Sequence, residues 1–212
     1  MIRAVIFDMD GVLIDAKEWH YDALNQSLAL FGYSISRHDH LTAYDGLPTK
    51  KKLEMLTERQ GLPRRLHHFL NEMKQQYTMD LVYQCCKPTF QHEYALAELK
   101  RLGFRLGVAS NSVRQTVEVM MERAHLARHL DLMLSNQDVK EPKPSPEIYN
   151  LAIRHLGLTP SECVVVEDNE NGVRAARASG AHVLVVEDVH GVTLDNILYR
   201  IREANAAQRS AA

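Results

Sequence analysis

Five short segments of the chain are rich in β-branched residues and carry almost nothing polar inside them. They are Arg3–Asp8 (RAVIFD), Phe104–Ser110 (FRLGVAS), Leu130–Ser135 (LDLMLS), Glu162–Asp168 (ECVVVED) and Ala181–Glu187 (AHVLVVE). A strand with one wet face alternates polar and apolar residues. A strand that is apolar on both faces must be covered on both, as in a parallel sheet flanked by helices. Helical patterns separate the later four segments, over Glu93–Leu102, Val113–Ala124, Pro146–Leu156 and Gly172–Ser179. Gly103, Gly157 and Gly180 follow three of them, where a left-handed residue stops a helix. The alternation predicts an α/β fold with a doubly wound, parallel-sheet core.

One interval breaks the alternation. Between Ala16 and Gln84 the patterns are helical, with no strand. Lys17–Phe31 forms the first helix. The second opens at Thr49, a good N-cap, and ends near Gly61. The third carries an apolar stripe of Leu66, Phe69, Leu70, Met73, Tyr77 and Leu81. The expected organisation is a doubly wound core of residues 1–15 and 85–205, an inserted all-helical domain of residues 16–84, and a disordered tail at 206–212.

Composition narrows the partners. The 212 residues include 45% hydrophobic and 25% charged, with a formal net charge of -2. No basic patch argues for nucleic acid. Apolar runs of four to six residues fall far short of the roughly 20 that span a membrane. Asp8 and Asp10 interrupt the N-terminal apolar run too early for a signal peptide. Three cysteines, two of them adjacent, read as free thiols in a reducing cytoplasm. Expected partners are small molecules, with the chain a monomer or weak homo-oligomer.

Ligands of doubly wound sheets bind beyond the carboxyl ends of the strands. Segment one ends on Asp8, with Asp10 two residues on. Segment two ends on Ser110 and Asn111. Segment three is followed by KEPKPSPEIY, with Lys140 and Lys143. Segment four ends on Glu167 and Asp168. Oxygen ligands in this number suit a hard cation, Mg²⁺ above all, which also offsets their mutual repulsion. A lysine and a hydroxyl beside such a cation make a phosphate site. A carboxylate can then attack phosphorus, and a second can act as acid and base.

These segments resemble the motifs of the haloacid dehalogenase (HAD) superfamily, in the branch of β-phosphoglucomutase-like phosphatases. The first motif stands here as DMDGVLID, the second as VASNS, the third as KPSPEIY and the fourth as VVVEDNENGVRAARASGA. The resemblance spans nearly the whole chain and implies a Rossmann-like catalytic core with a helical cap domain after the first motif, hinged near Asp15–Ala16 and Gln84–Pro88. It implies Asp8 as nucleophile and Mg²⁺ ligand, and Asp10 as general acid/base whose backbone carbonyl binds the ion. Ser110 and the backbone of Asn111 would hold phosphoryl oxygens. Lys143, which precedes the Pro-x-Pro element as Lys140 does not, would offset charge on nucleophile and phosphoryl group. Asp168 would ligate Mg²⁺ directly and Glu167 through water. Asn169 and Asn171 lie near that site, and Asn171 is a candidate cap of the following helix.

The implied activity is a Mg²⁺-dependent phosphomonoester hydrolase acting on a small phosphorylated metabolite, such as a sugar phosphate, through an aspartyl phosphate. The alternative is a phosphomutase of the β-phosphoglucomutase type. In the cap, YDGLPTKK resembles the family's specificity loop, making Asp45, Gly46, Thr49 and Lys50 candidate substrate residues, with His20 on the first cap helix. Against the mutase stand Thr49, where the mutase carries arginine, Ala16, where it carries threonine, and Met73 at a cap-lysine position, with Lys74 adjacent. Lys50–Lys52 also read as a solvated helix start, and His38, His40, His67 and His68 as surface residues. Phe90, Gln91 and His92 read as either substrate-facing or an altered linker.

Overall fold

The structure is a computed structural model and describes residues 1–210. The chain forms two compact units, one of Met1–Asp15 with Lys87–Ala212 and one of Ala16–Cys86. The first unit opens with β1 (Ala4–Phe7). The second contains α1 (Lys17–Ala29), α2 (Arg37–Asp39), a π-helical segment (His40–Tyr44), α3 (Thr49–Gln60) and α4 (His67–Cys85). The first resumes with α5 (Phe90–Arg101), β2 (Arg105–Ala109), α6 (Arg114–Arg123) and β3 (Leu132–Leu134). It closes with α7 (Glu147–His155), β4 (Cys163–Glu167), α8 (Glu170–Ala178), β5 (His182–Val185) and α9 (Leu194–Ser210).

All five apolar segments become strands, each shorter than its apolar run because the end residues leave the ladder. They pair in parallel in the order β3-β2-β1-β4-β5. The chain winds from β1 to β2 and β3 on one side and then crosses to β4 and β5 on the other. The topological switch point therefore lies at β1. Every residue of β1 is fully buried, as both-faced apolarity requires. Below the sheet, Ile6, Val165, Ala109 and Leu134 pack against Ile148, Tyr149, Ala152 and Ile153 of α7. Burying each large aliphatic side chain contributes about 1.5–3 kcal/mol.

Register places the site. Phe7 is level with Val108 of β2 and Val166 of β4. Asp8, Ala109 and Glu167 are therefore level one step later, and Ser110 and Asp168 follow at the same edge. After Asp8 the chain reverses tightly: Gly11 N–H donates to Ile14 O at 2.7 Å, and Ile14 N–H to Met9 O at 2.9 Å. Gly11 has φ 92°, a backbone that side chains disfavour and glycine adopts freely.

The tail differs from expectation. Residues 206–210 belong to α9, whose end carries Ala204, Ala206, Ala207, Gln208 and Arg209, all good helix formers. It is tied down by the Met1 amine on Gln208 Oε1 (2.8 Å) and the Ile2 N–H on Asn205 Oδ1 (2.7 Å). The last two residues of the expected disordered tail lie outside the described residues.

The second unit has its own core of Leu24, Leu28, Ile35, Tyr44, Leu53, Leu56, Leu62 and Leu70. In α4 the buried face overlaps the expected stripe only in part, at Leu70. Leu70, Thr78, Met79 and Val82 are its buried residues, whereas Phe69 is exposed and meets Phe31 edge to face, with ring centroids 5.8 Å apart. Thr49 is the first residue of α3 rather than its cap, a position held by Pro48. His40 is buried against Tyr21 instead of lying on the surface. Lys52 is buried too, so the lysine run is not a uniformly solvated face.

Candidate active site

Asp8 leaves β1 buried, its backbone N–H still paired with Val166 O (2.9 Å). The Lys143 ammonium, also buried, donates to Asp8 Oδ1 at 2.6 Å and to Glu167 Oε1 at 2.7 Å. The Tyr149 hydroxyl donates to the same Glu167 oxygen. Glu167 Oε2 accepts from the Asp168 N–H at 3.2 Å. Carboxylate oxygens of Asp8, Glu167 and Asp168 lie within 4.8 Å of one another. Helix α8 starts against this group. A Cβ on Gly172 would stand 1.9 Å from Glu167 Oε1, so only glycine lets the helix approach so closely.

The electrostatics follow from burial. Burial pushes the Asp8 carboxyl well above the usual carboxylate range; Lys143 opposes the rise, while Glu167, Asp168 and Asp10 add to it. Burial would lower the Lys143 ammonium, but Asp8 and Glu167 outweigh it and hold it above its ordinary value. Burial, then the charges of Glu167 and Asp8, push the Tyr149 phenol well up. Three close carboxylates against one ammonium leave an excess of negative charge in a dry place. A divalent cation would offset that excess, and an all-oxygen donor set suits a hard ion.

Beside this cluster, Asp10 Oδ2 accepts from Ser112 Oγ at 2.8 Å and from Ser110 Oγ at 3.5 Å. Ser110 Oγ accepts from the Ser112 N–H at 3.0 Å. Asn111 ties the second motif to the third: the Lys143 N–H donates to its Oδ1 at 3.0 Å, and Asn136 Nδ2 to its carbonyl at 2.9 Å. Asp8, Asp10, Ser110, Asn111, Lys143, Glu167 and Asp168 thus gather at one sheet edge. Lys140 is exposed, and its backbone N–H bonds Glu147. The cap of α8 is Asn169, which accepts from Asn171 N–H at 3.0 Å, so the capping role falls two residues before the candidate Asn171.

The remaining candidates belong to the other unit. His20 lies on α1 with Nδ1 3.1 Å from Lys74 Nζ. Asp45 and Gly46 follow the π-helical segment, and Thr49 and Lys50 open α3, with Lys50 exposed. Gln91 and His92 lie in the first turn of α5 and bond the turn that follows β5. Gln91 Nε2 donates to the carbonyls of Val189, His190 and Val192, and His92 Nε2 to Val189 O at 2.9 Å.

Ser112, Tyr149 and Gly172 were not among the sequence-level candidates. Each lies inside a motif: Ser112 two residues past Ser110, Tyr149 six past Lys143, Gly172 five past Glu167. That spacing was the available signal.

The sequence pattern of the haloacid dehalogenase-like hydrolases matches residues 5–186. The chain belongs to this family. It is 29% identical over 194 residues to the phosphorylated carbohydrates phosphatase of Thermotoga maritima, covering 90% of this chain and 85% of that one. It is 31% identical over 195 residues to protein CbbY of Cereibacter sphaeroides, covering 87% and 84%. The crystal structure of CbbY from Rhodobacter sphaeroides in complex with phosphate superposes with a TM-score of 0.79 at 28% identity, covering 87% of this chain and 86% of that one. A mutant of that CbbY has been solved with xylulose-(1,5)bisphosphate. The five-stranded core is the fold of this family. Among the described residues no helix is long and apolar enough to cross a membrane.

Proposed function

We propose that the chain is a Mg²⁺-dependent phosphomonoester hydrolase that works through an aspartyl phosphate on Asp8 and acts on a small phosphorylated metabolite, of sugar-phosphate type. The observation that carries this reading is the buried line Asp8–Lys143–Glu167, with Asp168 beside it, at the switch point of a parallel sheet. A relative named for phosphorylated carbohydrates, and a structural neighbour solved with phosphate, support the substrate class.

In this reading Asp8 and Asp168 would hold Mg²⁺ directly and Glu167 through water, with the Asp10 backbone carbonyl. When bound, the ion supplies charge stabilisation to the phosphoryl oxygens. Lys143 favours the ionised form of Asp8 against the effect of burial, orients it, and adds positive charge as the phosphoryl group arrives. Ser110 and the Asn111 backbone hold phosphoryl oxygens. Asp8 Oδ attacks phosphorus, the ester P–O bond breaks, and protonated Asp10 gives its proton to the leaving oxygen. Asp10, now a carboxylate, takes a proton from water. The water oxygen attacks phosphorus, the Asp8–phosphorus bond breaks, and inorganic phosphate leaves. His20, Asp45, Gly46, Thr49 and Lys50 are assigned to selecting the leaving group.

A screen of phosphate release over phosphorylated sugars, polyols, amino alcohols and nucleotides tests the reading. Hydrolysis of a sugar phosphate in Mg²⁺, silenced by EDTA and restored by Mg²⁺, is expected. Turnover that needs a bisphosphate and releases no phosphate would favour the mutase; activity unaffected by chelation would contradict the metal assignment.

A further inference from the structure

Tyr149 is fully buried in the core beneath the sheet, among Ile148, Ala152, Ile153 and Val165. Packing there asks only for a ring, which phenylalanine would supply. A phenol in such a place needs a reason for its hydroxyl, because a buried polar group is tolerated only when bonded. The hydroxyl donates to Glu167 Oε1, the oxygen that also accepts from Lys143 Nζ at 2.7 Å. The ring does a second thing: Lys143 Nζ stands 4.7 Å from its centroid, within cation–π range. On the other side of Glu167 the first turn of α8 presses in at Gly172, where a Cβ would overlap the carboxylate. Glu167 is thus gripped between the Tyr149 hydroxyl and helix α8, with its second oxygen on the Asp168 N–H at 3.2 Å.

We propose that Tyr149 is a positioning residue: its hydroxyl fixes the Glu167 carboxylate for the cation, and its ring seats Lys143 between Glu167 and Asp8. The proposal rests on the magnesium reading above and adds that cation affinity is set partly from α7, beneath the sheet. Hydrogen-bond partners behind metal ligands typically govern affinity by 10–100-fold.

The test is calorimetric titration of the full chain with MgCl₂ alone, without substrate. Tyr149→Phe, which keeps the ring under Lys143, is expected to bind Mg²⁺ about tenfold more weakly than wild type. In a Glu167→Ala background the same change is expected to alter affinity less than about twofold, because the carboxylate that accepts from the Tyr149 hydroxyl is gone. Gly172→Ala, which leaves Tyr149 intact and crowds the same carboxylate, is expected to weaken binding as well. Unfolding temperature in chelator separates lost affinity from lost fold. Wild-type affinity in Tyr149→Phe, losses that add fully in the Glu167→Ala background, or wild-type affinity in Gly172→Ala would each overturn the proposal alone. A wild-type chain that binds no Mg²⁺ would overturn the metal reading and this proposal together.

Discussion

At the scale of single residues, the site is a matter of which oxygen each donor reaches. Asp10 is held mainly by Ser112, whose hydroxyl is at 2.8 Å, while Ser110 stands at 3.5 Å. In the proposed reaction that division leaves Ser110 available to a phosphoryl oxygen, with Ser112 orienting Asp10 as the acid/base. Hydrogen bonds to charged groups contribute about 1.5–3 kcal/mol, so Ser112→Ala should lower kcat by about tenfold or more with a smaller change in KM. Steady-state kinetics on the best substrate checks this; unchanged kcat would free Asp10 from Ser112. The carboxylates and Lys143 were legible in the sequence because they sit at the ends of apolar runs or in a recognisable motif. Ser112 and Tyr149 were not singled out, since a serine in a turn and a tyrosine on a helix look alike whether or not they touch a charge. The burial of His40 and Lys52 was equally hidden, because it depends on neighbours distant in sequence.

At the scale of elements, both-faced apolarity identified all five strands, and the sheet order then followed the doubly wound pattern. The stripe read on α4 was right at Leu70, and Leu66 just before the helix packs on the same core, but wrong at Phe69, which is exposed. Tyr77 and Phe69 are large enough to pass for core residues, yet Thr78 and Met79 are buried there instead. The start of α5 is pinned differently, by Gln91 and His92 bonding the Val189–Gly191 turn. Burial lowers the His92 pKa more than its backbone bonds raise it, so the folded state favours the neutral ring. The unfolded chain therefore takes up this proton first. His92 supports folding above the ordinary histidine value near 6.5, and that support fades as pH falls below it. Thermal unfolding between pH 7.5 and pH 5.5 should fall more steeply for wild type than for His92→Gln. Equal slopes would remove His92 from the acid limb.

At the scale of the molecule, two units with separate cores come from one chain, divided at Ala16 and after Cys86. The insertion was visible as a strandless interval. The length of α9 was not, because small polar residues near a terminus satisfy both a helix and a frayed tail. The clustered carboxylates burden the folded state when no cation offsets them. Mg²⁺ at about 100 times its dissociation constant should therefore add about 2.7 kcal/mol to folding and raise the unfolding temperature by about 5–10 °C. Scanning calorimetry with and without Mg²⁺ reads this directly; an unfolding temperature indifferent to Mg²⁺ would mean that the carboxylate cluster holds no ion.

The account turns on Asp8 as the atom-bearing nucleophile. Its most direct test is acid quenching during turnover of a phosphorylated substrate in Mg²⁺, followed by peptide mass spectrometry. The expected result is a phosphoryl group on the peptide that carries Asp8, absent from Asp8→Asn, with phosphate release by that variant down at least about 10³-fold. Phosphate release that continues at near wild-type rate in Asp8→Asn, with no phosphoryl group on that peptide in the wild type, would contradict it.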